Sequence, residues 1–298
     1  MRRMIPFLML CSFLLFTSCR SSSQNNSPLS ENSATRAYIQ NKGSDTLVNL
    51  ALAWAEEYQK IHPEVQISVT GGGSGTGFTA LINGTVDIAN ASRQIKPEEI
   101  EQAQNKGFEP VEFIVANDAI AVIVNPSNPV RQLTLEQVSK IYRGEINNWL
   151  EVGGEDRPIV RLSRETNSGT HVYFLEEVIR LGNSEDKSIF SADTLLLPSS
   201  EGIIAEVRDN PNAIGYDGLG YVTPEVKTIA LSKDILGEYI LPSAETVREN
   251  TYPISRSLYV YTRNQPTGVL KEYIDWMRSK DGQALTSELG FVPIAEGQ

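Results

Sequence analysis

The chain has 298 residues, of which 40% are hydrophobic and 21% are charged, and its formal net charge is −11. This composition is that of an ordinary globular protein and not of a disordered chain. The negative charge argues against a general nucleic-acid or polyanion binder, because such proteins present a broad basic surface to phosphates. Any anion that this protein binds must therefore be held by a local site.

Residues 1–18 have the pattern of a secretory signal peptide. Two arginines near the start supply the positive charges, and residues 5–16 form an apolar stretch that is too short to span a bilayer. Two small residues then precede Cys19, a pattern that resembles a bacterial lipobox. We expect Cys19 to become the lipidated N-terminus; ordinary signal-peptidase cleavage, which would leave a soluble secreted protein, is the alternative.

The segment 19–35 is polar and rich in serine and asparagine, which predicts a flexible tether. From Arg36 onward, short β-like runs alternate with amphipathic helical runs, a pattern typical of an α/β sheet with crossover helices. The first part of this body has predicted strands at 37–40, 65–70 and 86–89, and predicted helices at 47–60, 78–83 and 97–105.

Residues 111–125 hold two apolar segments separated at Asn117-Asp118, which we interpret as two strands joined by a bend. Beyond them, Thr134 and Gln137 form a capping box that opens a helix ending at Tyr142. The remaining predicted elements are strands at 159–162, 214–216 and 257–262, and helices at 172–181, 202–209 and 268–279.

Three polar loops each stand where a predicted strand ends and a helix begins. Unpaired amides and the positive end of the helix dipole make such a position suitable for an anion. The loops are residues 43–46 (Gly-Ser-Asp-Thr), 71–77 (Gly-Gly-Gly-Ser-Gly-Thr-Gly) and 163–171 (Ser-Arg-Glu-Thr-Asn-Ser-Gly-Thr-His). Each also has a purely structural interpretation, as a helix cap, a flexible turn, or a surface ion pair between Arg164 and Glu165.

The chemistry of these loops suits a tetrahedral oxyanion. Glycines let the backbone amides of the second loop approach an oxyanion closely, and no lysine follows them as in a nucleotide P-loop. In the third loop, Arg164 could grip two oxygens, while Ser168, Gly169 and Thr170 donate from the helix start.

Further candidates lie after a strand end and inside an apolar stretch. Ser92 and Arg93 offer a hydroxyl and a second guanidinium, although a solvated arginine is the alternative. Asp118 would repel an anion unless it accepts the anion's own proton, which phosphate carries at neutral pH and sulfate does not. The chain's two histidines, His62 and His171, support neither a zinc site nor a Cys–His nucleophile.

These motifs resemble the phosphate-binding proteins of bacterial phosphate ABC transporters, which have the type II periplasmic-binding-protein fold. The resemblance runs from about Tyr38 to the C-terminus, and residues 43–46, 71–77, 90–93, 118–125, 164–170 and 213–216 follow the family's order. It implies an α/β protein of two Rossmann-like lobes joined by a two-strand hinge. Lobe I would comprise residues 36–125 and 256–298, and lobe II residues 126–255.

The resemblance also implies the residues of the site. One wall would hold the anion with Ser44, Thr46, the amide of Leu47 and Ser74, beside Ser92 and Arg93; the other would use Arg164, Ser168, Gly169 and Thr170. Some members place a proton-accepting aspartate just after an Ala-Ser pair, where this chain has Arg93. We therefore expect Asp118 to accept the phosphate proton, with Asp45 as the second choice.

The resulting expectation is an exported, lipid-anchored, monomeric binding protein without cofactor, metal or catalytic residue. It would capture inorganic phosphate between its lobes and deliver it to the permease subunits of an ABC transporter. The alternatives are a protein for molybdate or sulfate, a phosphate sensor without a transport role, and a secreted phosphatase. The last would need a histidine or lysine placed to activate a loop serine, and no recognisable spacing provides one.

Overall fold

A mixed β-sheet is the centre of the fold in the computed structural model, which describes residues 36–295. The predicted signal peptide, Cys19 and the tether lie outside the described residues. The strands are β1 (Ala37–Gly43), β2 (Val65–Thr70), β3 (Ile88–Ala91), β4 (Val111–Val124), β5 (Gln132–Thr134), β6 (Val160–Arg164), β7 (Leu195–Leu197), β8 (Ala213–Gly218), β9 (Lys227–Thr228), β10 (Ala230–Ser232) and β11 (Ser255–Thr262).

Helices lie between most of the strands. They are α1 (Val48–Ile61), α2 (Ser74–Ile82), α3 (Pro97–Asn105), α4 (Leu135–Tyr142), α5 (Gly169–Phe174), α6 (Ser200–Asp209), α7 (Ala244–Arg248), α8 (Gly268–Met277) and α9 (Lys280–Glu288). Short 3₁₀ turns cover Trp149–Val152 and Leu219–Tyr221, and a π turn at Leu175–Ile179 continues α5. Within residues 36–295, no helix has both the length and the apolar character needed to cross a membrane.

The strand order of the main sheet is β2-β1-β3-β11-β4-β8-β6-β7, with β9 also paired to β4. Strands β1, β2 and β3 are parallel, whereas β11 runs antiparallel to both β3 and β4. Strand β4 pairs with β11 up to Ala119 and with β8 from Ile120 onward. One continuous strand therefore belongs both to the part of the sheet that contains β11 and to the part that contains β8. The predicted boundaries of the two lobes stay a prediction.

The predicted bend at Asn117-Asp118 is wrong, because β4 passes through both residues without a break. Their polar side chains find partners on the neighbouring strand β11. Ser257 donates its hydroxyl to the amide oxygen of Asn117 at 3.0 Å, and Arg256 forms an ion pair with Asp118 at 3.1 Å. A polar pair inside an apolar run is thus accommodated by cross-strand contacts and needs no turn.

Strand β2 and helix α3 have the predicted bounds, whereas two of the helices begin three or four residues earlier than predicted. Helix α2 begins at Ser74 instead of residue 78, and α5 begins at Gly169 instead of residue 172. In both cases the polar loop residues form the first helical turn. The short strands β5, β7, β9 and β10 and the helices α7 and α9 are absent from the sequence prediction, because they lack a clear apolar period.

Large aromatic side chains fill the core on either side of the sheet. Trp54 of α1 is fully buried and donates its indole N–H to the carbonyl of Gly282 at 2.8 Å. On another part of the sheet, Phe174 stacks on Tyr216 with ring centroids 3.6 Å apart. Burial of each such side chain stabilises the fold by about 1.5–3 kcal/mol. This packing fixes α1 and α5 against the strands whose ends carry the polar loops.

Candidate functional site

Hydroxyl groups from all three predicted loops, and that of Ser92, lie together where β1, β2, β3 and β6 end. The hydroxyl oxygens of Thr46 and Thr170 are 2.8 Å apart, although the residues are 124 positions apart in sequence. The backbone amide of Ser92 donates to the hydroxyl of Ser74 at 3.0 Å. We call this group the hydroxyl cluster and define it as Ser44, Thr46, Ser74, Ser92 and Thr170, all of which are buried.

Gly169 brings the start of α5 directly against the hydroxyl cluster. A Cβ atom at this position would lie 2.4 Å from the hydroxyl oxygen of Ser74 and 2.6 Å from that of Ser92. Gly73, with φ of +91°, likewise allows α2 to begin against the carbonyl of Asn167, to which the amide of Gly75 donates at 3.0 Å. Gly169 therefore allows backbone to pack against hydroxyls, and Gly73 allows the second loop to pack against the backbone of the third.

The hydroxyl of Ser44 is buried and has no hydrogen-bond partner among the described residues. Its residue is 2% exposed, and its backbone amide is already used, donating to the carbonyl of Asn90 at 2.9 Å. Buried hydroxyl groups are nearly always paired, because an unpaired one keeps its full desolvation cost. Ser44 therefore has the property expected of a group that bonds a ligand.

Arg164 reaches from the end of β6 to the loop after β1. Its Nη2 donates to Oδ2 of Asp45 at 2.9 Å, and its Nη1 donates to the hydroxyl of Ser200 at 2.8 Å. The backbone amide of Ser200 donates to the same Asp45 oxygen at 2.9 Å. Asp45 is thus an acceptor for groups of β6 and α6, and Arg164 is buried as a paired cation.

Asp217, at the end of β8, is a second carboxylate near this arginine. Its Oδ2 lies 3.6 Å from Nη1 of Arg164 and has no hydrogen-bond partner within residues 36–295. Its Oδ1 accepts hydrogen bonds from Ser200 at 2.9 Å and from the amide of Gly218 at 2.7 Å. Burial raises the pKa of Asp217 to about 6, against the opposing charge of Arg164.

Asp118 is fully buried on β4 and pairs with Arg256 of β11. Its Oδ2 is 3.1 Å from Nη2 of the arginine, and its Oδ1 accepts the amide of Leu219 at 3.0 Å. Burial raises the pKa of Asp118 although Arg256 acts in the opposite direction. Arg256 also donates to the hydroxyl of Thr170 at 3.0 Å and to the carbonyl of Ser92 at 2.8 Å.

Comparison with known proteins identifies the family. A family model described as a PBP superfamily domain matches residues 29–281. The phosphate-binding protein PstS of Pseudomonas aeruginosa is 34% identical over 269 residues, covering 85% of this chain and 81% of that protein. PstS of Bacillus subtilis is 33% identical over 255 residues, covering 85% and 80%. The chain belongs to the phosphate-binding protein family.

Solved structures of this family share the fold. A substrate-binding protein from Clostridium perfringens with bound phosphate has a TM-score of 0.77 at 30% identity, covering 87% of this chain and all of that one. An ABC-type phosphate transport receptor from Vibrio cholerae has a TM-score of 0.69 at 31% identity, covering 86% and 100%. The predicted fold class, an α/β protein of the type II periplasmic-binding-protein fold, is confirmed.

Three of the expected site residues have other partners in this member of the phosphate-binding protein family. Arg93 donates to both carboxylate oxygens of Glu99, at 2.7 and 2.8 Å. The amide of Leu47 donates to the carbonyl of Ser44 at 3.2 Å. The hydroxyl of Ser168 caps α5 by accepting the amide of Thr170 at 3.2 Å. Their contact with an anion stays a prediction.

Sequence reasoning missed Arg256, Asp217 and Ser200, because none of them lies in the three polar loops that it selected. A signal for Arg256 does exist: it shares one face of β11 with Leu258 and Val260, and all three are buried. A charged residue in register with core positions is rarely buried without a partner. Asp217 similarly ends a strand in which every residue is buried.

Proposed function

We propose that this protein captures inorganic phosphate at the hydroxyl cluster and delivers it to the permease subunits of an ABC transporter. The observation that carries the proposal is the buried, unpaired hydroxyl of Ser44, two residues before Thr46, whose hydroxyl contacts that of Thr170 in the third loop. A tetrahedral oxyanion would supply acceptors for several hydroxyls at once. The family membership, with relatives named as phosphate-binding proteins, supports phosphate as this oxyanion.

We assign the two walls of the site as the sequence predicts them. Ser44, Thr46, Ser74 and Ser92 would donate from one wall, and Arg164, Ser168, Gly169 and Thr170 from the other. In this proposal residues 36–125 and 256–298 form one lobe and residues 126–255 form the other. Contacts made with both walls at once would favour the closed arrangement, so that binding becomes a signal to the transporter.

Asp118 is our candidate for the acceptor of the phosphate proton, with Asp45 as the second. The raised pKa of Asp118 supports this role, because a carboxylate that ionises reluctantly is a better acceptor for a proton from a neighbouring acid. Sulfate is fully ionised at neutral pH and would place a bare oxygen against this carboxylate. Phosphate would therefore be preferred over sulfate.

We infer binding without catalysis. The one histidine near the third loop, His171, contacts the hydroxyl of Ser163 through Nδ1 at 3.1 Å and stacks on Phe190. Burial also lowers its pKa, so that it remains a neutral packing residue. A phosphatase would instead need a base in contact with a serine of the hydroxyl cluster.

We also propose that the protein is exported and held at the membrane by a lipid on Cys19, as a monomer. Labelling of cells with a fatty-acid analogue would mark the wild-type protein, and Cys19→Ser would lose the label and be released from the membrane. Label retained by Cys19→Ser would contradict the anchor. Light scattering of the released protein would measure its molecular mass.

Calorimetric titration of the soluble chain from residue 19 onward, carrying Cys19→Ser, tests the central proposal. We expect saturable binding of phosphate at neutral pH and much weaker binding of sulfate and molybdate. Equal affinity for all three would leave an oxyanion-binding protein without phosphate specificity. No heat with any of them would mean that the three loops only cap helices, and the proposal would be wrong.

A further inference from the structure

Two buried arginines each connect the two proposed walls of the site, starting from opposite walls. Arg164 comes from β6 and donates to Asp45, which follows β1. Arg256 comes from β11, which pairs with β3 and β4, and donates to Thr170 at the start of α5. Each guanidinium therefore joins a strand on one wall of the site to a polar residue on the other. Only the first of them lies in a loop motif.

The three acceptors of Arg256 define what it does to the hydroxyl cluster. Nη1 donates to the carbonyl of Ser92 at 2.8 Å, and Nη2 donates to Asp118 at 3.1 Å and to Thr170 at 3.0 Å. An arginine can only donate, so the hydroxyl oxygen of Thr170 must be the acceptor. The positive charge then turns the Thr170 hydroxyl proton away from the guanidinium.

The neighbour that can take this proton is Thr46, whose hydroxyl oxygen lies 2.8 Å from that of Thr170. If Thr170 donates to Thr46, the hydroxyl proton of Thr46 points away from Thr170 and can be donated to another acceptor. Thr46 is 1% exposed and lies in the same loop as the unpaired hydroxyl of Ser44. A chain of hydroxyls polarised in one direction donates more strongly at its end than an isolated hydroxyl.

The positive charge of Arg256 is neutralised by a neighbouring carboxylate. Asp118 is its one ion-pair partner within residues 36–295, and the side chains of both are buried. The ring of Tyr173 lies beneath the guanidinium, with its centroid 5.4 Å from Cζ. Arg256 is therefore held in a fixed place by a carboxylate, an aromatic ring and a carbonyl, and it need not move to act on Thr170.

We propose that Arg256 is a positioning residue of the phosphate site, which orients the Thr170 and Thr46 hydroxyls as donors toward an unprotonated phosphate oxygen. This inference rests on the proposed function. It adds a specificity element to the site, because a hydroxyl constrained to donate bonds a charged, unprotonated oxygen more strongly than an oxygen that carries a proton. The protonated oxygen of phosphate is then favoured at another part of the site.

A double-mutant cycle between Arg256 and Thr170 tests this role. Phosphate affinity is measured by calorimetry for the wild type, Arg256→Met, Thr170→Val and the double variant. We expect Arg256→Met to weaken binding about tenfold or more, as for a lost charge-assisted hydrogen bond. Because Arg256 acts through Thr170, the double variant should bind about as weakly as the weaker single variant. Fully additive losses would overturn the proposal.

Two further variants separate positioning from general damage to the fold. Arg256→Lys keeps the charge and should recover part of the affinity lost in Arg256→Met. Arg248→Met removes an exposed arginine from α7 and should bind as the wild type does. If Arg256→Met does not fold, as judged by circular dichroism, the cycle is run with Arg256→Lys. It then still measures the coupling between residue 256 and Thr170.

The outcomes also distinguish this inference from the proposed function. A wild-type protein that binds no phosphate would overturn both. A wild-type protein that binds phosphate, with Arg256→Met binding within twofold of it, would overturn the role of Arg256 alone.

Discussion

The two ends of the proposed phosphate site differ in how the charges of their arginines are balanced. Arg164 lies beside two carboxylates, Asp45 at 2.9 Å and Asp217 at 3.6 Å, and beside the hydroxyl of Ser200. Arg256 is paired with one carboxylate, Asp118, at 3.1 Å. The end near Arg164 therefore has more carboxylates than arginines, whereas at the end near Arg256 one carboxylate balances one arginine. We call the first the acid-rich end and the second the neutral end. The positive charge available to an anion near Arg164 depends on whether Asp217 is protonated.

Removal of Arg164 would test the acid-rich end most severely. Arg164→Ala leaves Asp45 and Asp217 without their cation next to the anion. We expect phosphate affinity to fall by about 30- to 3000-fold, the cost of about 2–5 kcal/mol when one partner of a buried charged pair is truncated. Calorimetry measures the loss. The exposed Arg208, replaced by alanine, is the control, and equal affinities for both variants would place the ligand elsewhere.

The pH dependence of stability would show whether Asp217 sets the balance at this end. The pKa of Asp217 is raised from 3.8 to about 6 in the folded protein. A carboxyl whose pKa is raised on folding contributes stability that is fully present below pH 3.8 and is lost as the pH rises through about 6. Asp217→Asn has no such loss.

We therefore expect the free energy of unfolding of the wild type to fall relative to Asp217→Asn by about 2 kcal/mol between pH 4 and pH 7. Urea unfolding at four or five pH values measures this difference. A difference that stays constant with pH would mean that Asp217 is ionised throughout, and that the excess of acid near Arg164 is permanent.

Replacement of the carboxylate at the other end would test anion selectivity. Asp118→Asn removes the proposed acceptor of the phosphate proton. A fully ionised sulfate has no proton to donate to this carboxylate, so its affinity does not depend on that hydrogen bond. We expect the ratio of phosphate to sulfate affinity to narrow by about 10- to 100-fold, as for the loss of one charge-assisted hydrogen bond. Competition titrations measure the ratio. Equal losses for the two anions would assign Asp118 to the pairing of Arg256 alone.

The smallest effect is expected at Ser44, which touches neither arginine. Its hydroxyl has no partner among the described residues, so Ser44→Ala should leave the melting temperature of the ligand-free protein unchanged. Phosphate affinity should fall by about three- to tenfold for one lost hydrogen bond. The exposed Ser127→Ala serves as the matched control. A lowered melting temperature without loss of affinity would make Ser44 a structural residue.

The acid-rich end was easier to predict from the sequence than the neutral one. Arg164, Ser168 and Thr170 stand in one short loop, so that local chemistry alone indicates an anion site. Arg256 contacts residues 86 and 138 positions away, and its role depends on which strands are neighbours in the sheet. The motif order indicated the fold, but the cross-strand partners of Asp118 required the register of β4 against β11.

Arg93 illustrates the opposite difficulty. The sequence offers a guanidinium after a strand end, next to a loop serine, and local pattern gives no reason to exclude it from the site. In the structure both Nη atoms of Arg93 donate to Glu99 in the first turn of α3, and the guanidinium lies over the ring of Phe78 at 4.7 Å. A carboxylate six residues away thus pairs with this guanidinium, and contact of Arg93 with an anion stays a prediction.

The change of pairing partner within strand β4 affects how the sheet could move. Its residues bond β11 up to Ala119 and β8 from Ile120, with no loop between the two sets of bonds. In the proposed two-lobe arrangement, a rotation of one part of the sheet against the other would twist the backbone of β4 near Ala119 and Ile120, which a strand resists more than a loop does. The energy of opening would be stored elastically within the sheet, and release of the anion would draw on the same twist that capture imposed.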